Sequence, residues 1–174
     1  MVSKLILAAL VLLATSAIAA GSEQDTFAIY LIAEPVDART LARSPRLWKE
    51  LALSNDPVIS QADIISYDFS SHAMRLRIEA IKRLPRPSVS GTPFVVVVNG
   101  ERIYQGAFYT SVSSISYAQP VILIDRSERN QAEKADVLLI DRAYPSASFA
   151  TGSDLRSDDR IKSALSNLKK LAKH

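Results

Sequence analysis

Gly91-Thr92-Pro93-Phe94-Val95-Val96-Val97-Val98-Asn99-Gly100-Glu101-Arg102-Ile103-Tyr104-Gln105-Gly106-Ala107-Phe108 is the stretch that decides the fold. Two β-prone runs flank Asn99-Gly100, the dipeptide that best supplies positive φ at both central positions of a type I′ turn, so the stretch predicts one tight antiparallel hairpin. A two-residue turn sets the register: Val98 faces Glu101, Val97 faces Arg102, Val96 faces Ile103 and Val95 faces Tyr104. Both faces of the first strand are then apolar. Such a strand needs cover on both sides, which places it in the interior of a sheet.

Working outward, Thr26 to Ala33 reads as another strand apolar on both faces, stopped by Glu34-Pro35. Between Ala38 and Leu53 the second half is the expected helix, with Ser44 as cap, Pro45 in the first helical position and Leu47, Trp48, Leu51 and Ala52 on one face. Trp48 reads as a core anchor. Asp63 to Ile78 alternates as a second hairpin, with Ser70-Ser71-His72 at its turn, and Glu79 to Leu84 allows a short helix. Ser111 to Ser116 is a helical turn or loop. Pro120–Asp125 and Asp136–Asp141 are two more strands, joined by a polar connection from Arg126 to Lys134. Ser157 is the expected cap of a last helix, with Asp158 and Asp159 at its positive end and Lys169, Lys170 and Lys173 at its negative end. Because the strands come in hairpins and not in strand-helix-strand alternation, the expected class is α+β, with a mainly antiparallel sheet and helices packed on one face.

The N-terminus has the layout of a secretory signal: Lys4, an apolar run from Leu5 to Ala14, then Ala17-Ile18-Ala19. Cleavage after Ala19 is expected, leaving residues 20–174 as a single globular domain that is exported, either periplasmic or extracellular. The chain contains 0 Cys, so no disulfide framework supports it in an oxidising compartment. Lys and Arg total 21 against 18 Asp and Glu, and the two signs are interspersed, so no basic run of the kind a nucleic acid would bind is present.

Catalytic chemistry finds few candidates. There are 2 His, one of them the last residue, so any imidazole scheme runs through His72, which reads as a solvated turn residue. The serines Ser111, Ser113, Ser114 and Ser116 suggest a hydrolase, yet G-x-S-x-G is absent. One turn histidine without cysteine does not make a transition-metal site. Asp154, Asp158 and Asp159 lack the spacing and glycine of a calcium loop and read as helix-start charges. No cofactor is expected. As a ligand or partner surface, Tyr104, Phe108, Tyr109 and Tyr117 follow the central hairpin and could line a groove for a peptide. The basic terminal helix is a lesser candidate, for contact with an acidic membrane surface.

Asp56-Pro57-Val58-Ile59-Ser60-Gln61-Ala62-Asp63-Ile64, the span Pro93 to Gly106, and Ser113-Ser114 together resemble a family of uncharacterised exported bacterial proteins. Tyr144-Pro145, Phe149, Gly152, Asp154, Arg156, Asp159, Arg160 and Ile161 are similar to that family's tail, while Phe69 and Tyr109 stand where the family has Trp. More remotely, the family is similar to the head subdomain of the first periplasmic region of SecDF, an accessory component of the Sec translocase. That resemblance implies an α+β head fold and contact with unfolded exported chains, and it supplies no catalytic residues. The expected function is a non-enzymatic binding or accessory module with a protein or peptide partner in the cell envelope. The alternatives are a hydrolase using His72 with a serine from 111 to 116, and a membrane-surface protein held by its terminal helix.

Overall fold

Asn99 and Gly100 adopt φ of 50° and 76°, the type I′ geometry their chemistry favours, and they join β5 (Thr92–Val98) to β6 (Glu101–Tyr109). The computed structural model describes residues 25–44, 46–86, 88–126, 128–130 and 135–173; the expected signal segment 1–19 lies outside them. Around the central hairpin stand β1 (Phe27–Leu31), β2 (Ile59–Ser60), β3 (Ile64–Asp68), β4 (Ala73–Arg77), β7 (Val121–Leu123), β8 (Glu128–Asn130) and β9 (Ala135–Asp141). They form one nearly barrel-shaped sheet in the order β2-β1-β5-β6-β7-β9-β4-β3, with β8 also on β9. Every pairing is antiparallel except β6 with β7. The class is α+β, as expected. β8 is an addition, since Arg126 to Lys134 is expected only as a polar connection between strands.

The interior position of β5 follows from its alternation. Phe94, Val96 and Val98 enter the main core with Phe27, Ile29, Met74 and Ile140, whereas Val95 points the other way into a cluster with Ile32, Leu41 and Trp48. Helices cover both faces, which corrects the expectation of helices on one face. α3 (Asp159–Asn167) sends Ile161, Ala164 and Leu165 into the main core, joined by Ala80 of α2 (Ile78–Ile81). On the opposite face, α1 (Ala38–Ala42) contributes Leu41 to the Val95 cluster. A sheet whose central strand is valine-rich on both sides requires that arrangement.

Local chemistry sets the helix ends. α1 starts at Asp37, whose carboxylate accepts from Thr40 N at 2.7 Å, so the helix occupies the first half of the 38–53 segment. The expected second half supplies one 3-10 turn, Leu47–Lys49. α3 is capped by Asp158, not Ser157, and ends at Asn167, shorter than the lysine distribution suggested. Its continuation instead pairs with the edge of β3: Tyr67 N donates to Lys170 O at 2.7 Å and Ala172 N to Tyr67 O at 2.9 Å. This blunts an otherwise open strand edge. Among the described residues no helix is long and apolar enough to cross a membrane.

Candidate functional site

The hairpin register holds for Val98–Glu101 and Val97–Arg102 and then shifts, because Val96 pairs with Tyr104 and Val95 with Gln105. Ile103 is the extra residue of a β-bulge, and one extra residue reverses the face of every side chain after it. Tyr104 therefore joins Val96 in the main core, and Gln105 turns to the face that carries Val95 and Trp48. Phe108 also enters the main core. Tyr109 and Tyr117 stack on the other face with ring centroids 5.6 Å apart.

All four aromatics expected as a partner surface are thus core, none more than 2 % exposed. Turning even one outward would forfeit roughly 1.5–3 kcal/mol of burial. Two of them, Tyr109 and Tyr117, carry buried hydroxyls with no partner among the described residues, and burial pushes the Tyr109 phenol up to about 12.

What the bulge does present is a cleft of about 350 Å³ between β6 and the Leu47–Lys49 turn. Ile103, Tyr104 and Gln105 form one wall, Arg46, Trp48 and Lys49 the other, and Gln119 and Leu155 close it. Arg102 Nη1 donates to Trp48 O at 2.6 Å, clamping the turn to the strand. Lys49 Nζ sits 5.6 Å from the centroid of the Trp48 ring, within cation–π range. Gln105 is only 4 % exposed and its Oε1 has no hydrogen-bond partner. A buried acceptor left unmatched costs about 1–3 kcal/mol, and this oxygen is sealed from the cleft. A neighbouring depression of about 10 Å³ has room for little more than a water molecule. In sequence the only sign of the cleft was a glutamine within the apolar part of β6, from Ile103 to Tyr109, and the bulge had no sequence signature.

His72 is the second place where chemistry could reside. It lies in the β3–β4 turn at φ 55° but is 5 % exposed, so the expectation of a solvated residue is overturned. Its Nδ1 lies 3.1 Å from Tyr67 Oη and its Nε2 3.4 Å from Ser157 Oγ. Its ring also packs against Phe69, centroids 5.5 Å apart. Burial and then the Arg156 charge hold the imidazole below its ordinary value, which keeps it neutral.

Of the serines expected to accompany His72, Ser111 and Ser113 are engaged elsewhere: Ser111 Oγ donates to Asp125 at 2.6 Å and Ser113 Oγ to Val89 O at 2.6 Å. Ser157 meets the imidazole instead, at a distance long for proton transfer. A phenol, not a carboxylate, orients the ring, and a nearby guanidinium disfavours the imidazolium that serine activation would generate. The arrangement serves better as a polar pin between the hairpin turn and the segment entering α3.

That segment carries a repeated device which the sequence reading missed. Asp154 accepts from Arg156 N and from Arg156 Nε and Nη2, the last at 2.6 Å; Asp158 accepts the same three bonds from Arg160, the last at 2.7 Å. The Asp-x-Arg spacing, present twice within this segment, was the available signal, though Asp37-Ala38-Arg39 has the same spacing and Asp37 caps α1 instead. Each clipped guanidinium has an Nη1 left over, which Arg156 places on Ile140 O at 2.6 Å and Arg160 on Glu101. The acidic cluster near α3 thus binds its own arginines. Comparison with protein-family models, with curated proteins and with solved structures finds no match to this chain.

Proposed function

We propose that the chain is an exported, non-enzymatic binding module that contacts exported polypeptides or other envelope components, and that its ligand enters the cleft between β6 and the Leu47–Lys49 turn. The observation that carries the reading is the wall formed by Arg46, Trp48 and Lys49 on a cavity large enough for a ligand group. Apolar surface from Ile103 and Leu155 stands beside it, a mixture that suits peptide better than a purely polar solute. Export rests on the signal layout of residues 1–19 and on the family resemblance.

Trp48 is the single tryptophan and lines the cleft, so its emission reports occupancy directly. Titration of the mature domain with a panel of short unstructured peptides is expected to shift that emission. Flat titrations across the panel overturn the reading. In a broad hydrolase-substrate screen no turnover is expected; reproducible turnover abolished by His72→Ala would replace the binding module with an enzyme.

A further inference from the structure

Resting on the binding reading above, we infer that the cleft selects a peptide bearing a carboxylate, either an acidic side chain or a free C-terminus. None of the cleft's lining residues is acidic, while Arg46 and Lys49 stand together on one wall. Both are exposed, and no described carboxylate pairs with either. This differs from Arg156 and Arg160, each of which is satisfied by its own aspartate. The Trp48 ring holds the Lys49 ammonium at the cleft wall, and a guanidinium offers the forked donors a carboxylate accepts.

The opposite wall, Ile103, Tyr104 and Gln105, carries no charge, so a carboxylate is drawn to Arg46 and Lys49. Trp48 and Leu155 supply apolar contact for a neighbouring side chain. A simple anion such as phosphate would satisfy the cationic wall only. A carboxylate beside an apolar group is peptide chemistry, and about 350 Å³ accommodates only a short segment of it.

The test uses Trp48 emission of the mature domain with four probes: acetyl-Leu-Ala-Glu-amide, acetyl-Leu-Ala-Gln with a free C-terminus, acetyl-Leu-Ala-Gln-amide and acetyl-Leu-Ala-Lys-amide. At least one carboxylate probe should bind about tenfold or more tightly than the neutral amide, the worth of one charge-assisted hydrogen bond. The tighter of the two identifies the source of the carboxylate, and added salt should narrow the gap. In the double variant Arg46→Glu, Lys49→Glu the preference should move to the lysine probe. Both positions are exposed, and an unchanged urea midpoint confirms that the fold survives.

Neutral and carboxylate probes binding equally would overturn the inference while leaving the binding module standing. Inorganic phosphate competing as well as the best peptide would also overturn it, since the site would then recognise any anion. No response to any probe would remove both readings.

Discussion

Val96 stands opposite Tyr104, one residue farther along the returning strand than a plain two-residue hairpin would place it. The displaced residue, Ile103, is half-buried, packs against the main core and lines the cleft. Deleting Ile103 should remove the bulge yet keep Tyr104 opposite Val96, so the chain should still fold, with a loss of about 1–3 kcal/mol for the missing side chain. Inserting one alanine between Ile103 and Tyr104 should be far worse, because Tyr104 and Phe108 would leave the main core together. Urea denaturation followed by far-UV circular dichroism separates the two outcomes; a deletion variant that fails to fold would show that the bulge, not the face assignment, is what the sheet requires.

That single residue also marks the limit of what was legible. Asn99-Gly100 and the alternating valines are local signals, and they placed the hairpin, its turn and the double cover of β5 correctly. A bulge is decided by packing across the whole sheet, so Tyr104 was assigned to the wrong face and Gln105 was overlooked. The same reason applies to His72. Its place at the turn is legible, but it also meets Ser157, far along the chain, and spacing within the hairpin carries no trace of that contact.

Two glycines of the central hairpin should fail differently when replaced by alanine. A Cβ at Gly106 would lie 2.3 Å from Phe94 Cζ and 2.6 Å from Pro120 O, and a backbone atom cannot easily retreat. Gly106→Ala should therefore cost about 1–3 kcal/mol from overpacking. At Gly100 a Cβ meets nothing within 4 Å, so the cost there is the positive φ alone, roughly 1 kcal/mol. Urea midpoints of the two variants check the order; a Gly106→Ala variant as stable as the parent would refute the close packing of Phe94 beneath the strand.

The tyrosine cluster allows a test of what each hydroxyl contributes. Tyr144 Oη approaches Ser111 O at 2.9 Å and Ser113 O at 2.8 Å, tying the serine loop to the sheet, whereas Tyr117 Oη is buried without a partner among the described residues. Tyr144→Phe should lose about 1 kcal/mol, and Tyr117→Phe should be neutral or slightly stabilising, since it removes an unmatched polar atom. Matched urea curves decide it. Equal destabilisation by both would mean that Tyr117 Oη has a partner.

Stability between pH 7 and 5 should depend on His72. Burial and Arg156 lower its folded-state pKa beneath the ordinary 6.5, while Asp154 and Asp68 oppose that shift only in part. The unfolded chain then binds more protons than the native one once the pH drops below about 6.5. Stability is accordingly complete above that value and declines as the pH falls through the window down to the folded pKa. Asp63, Asp154 and Asp158 do not blur this window, because all three are held below the usual carboxylate range, Asp154 chiefly by its bonds from Arg156. His72→Asn keeps a residue type that tolerates the positive φ at this position and removes the titrating group. The variant should be less stable than the parent at pH 7, having lost the bond to Tyr67, and its urea midpoint should change less between pH 7 and 5. A parent whose midpoint is constant over that range would show that the imidazole takes up a proton as readily when folded as when unfolded, contrary to its burial.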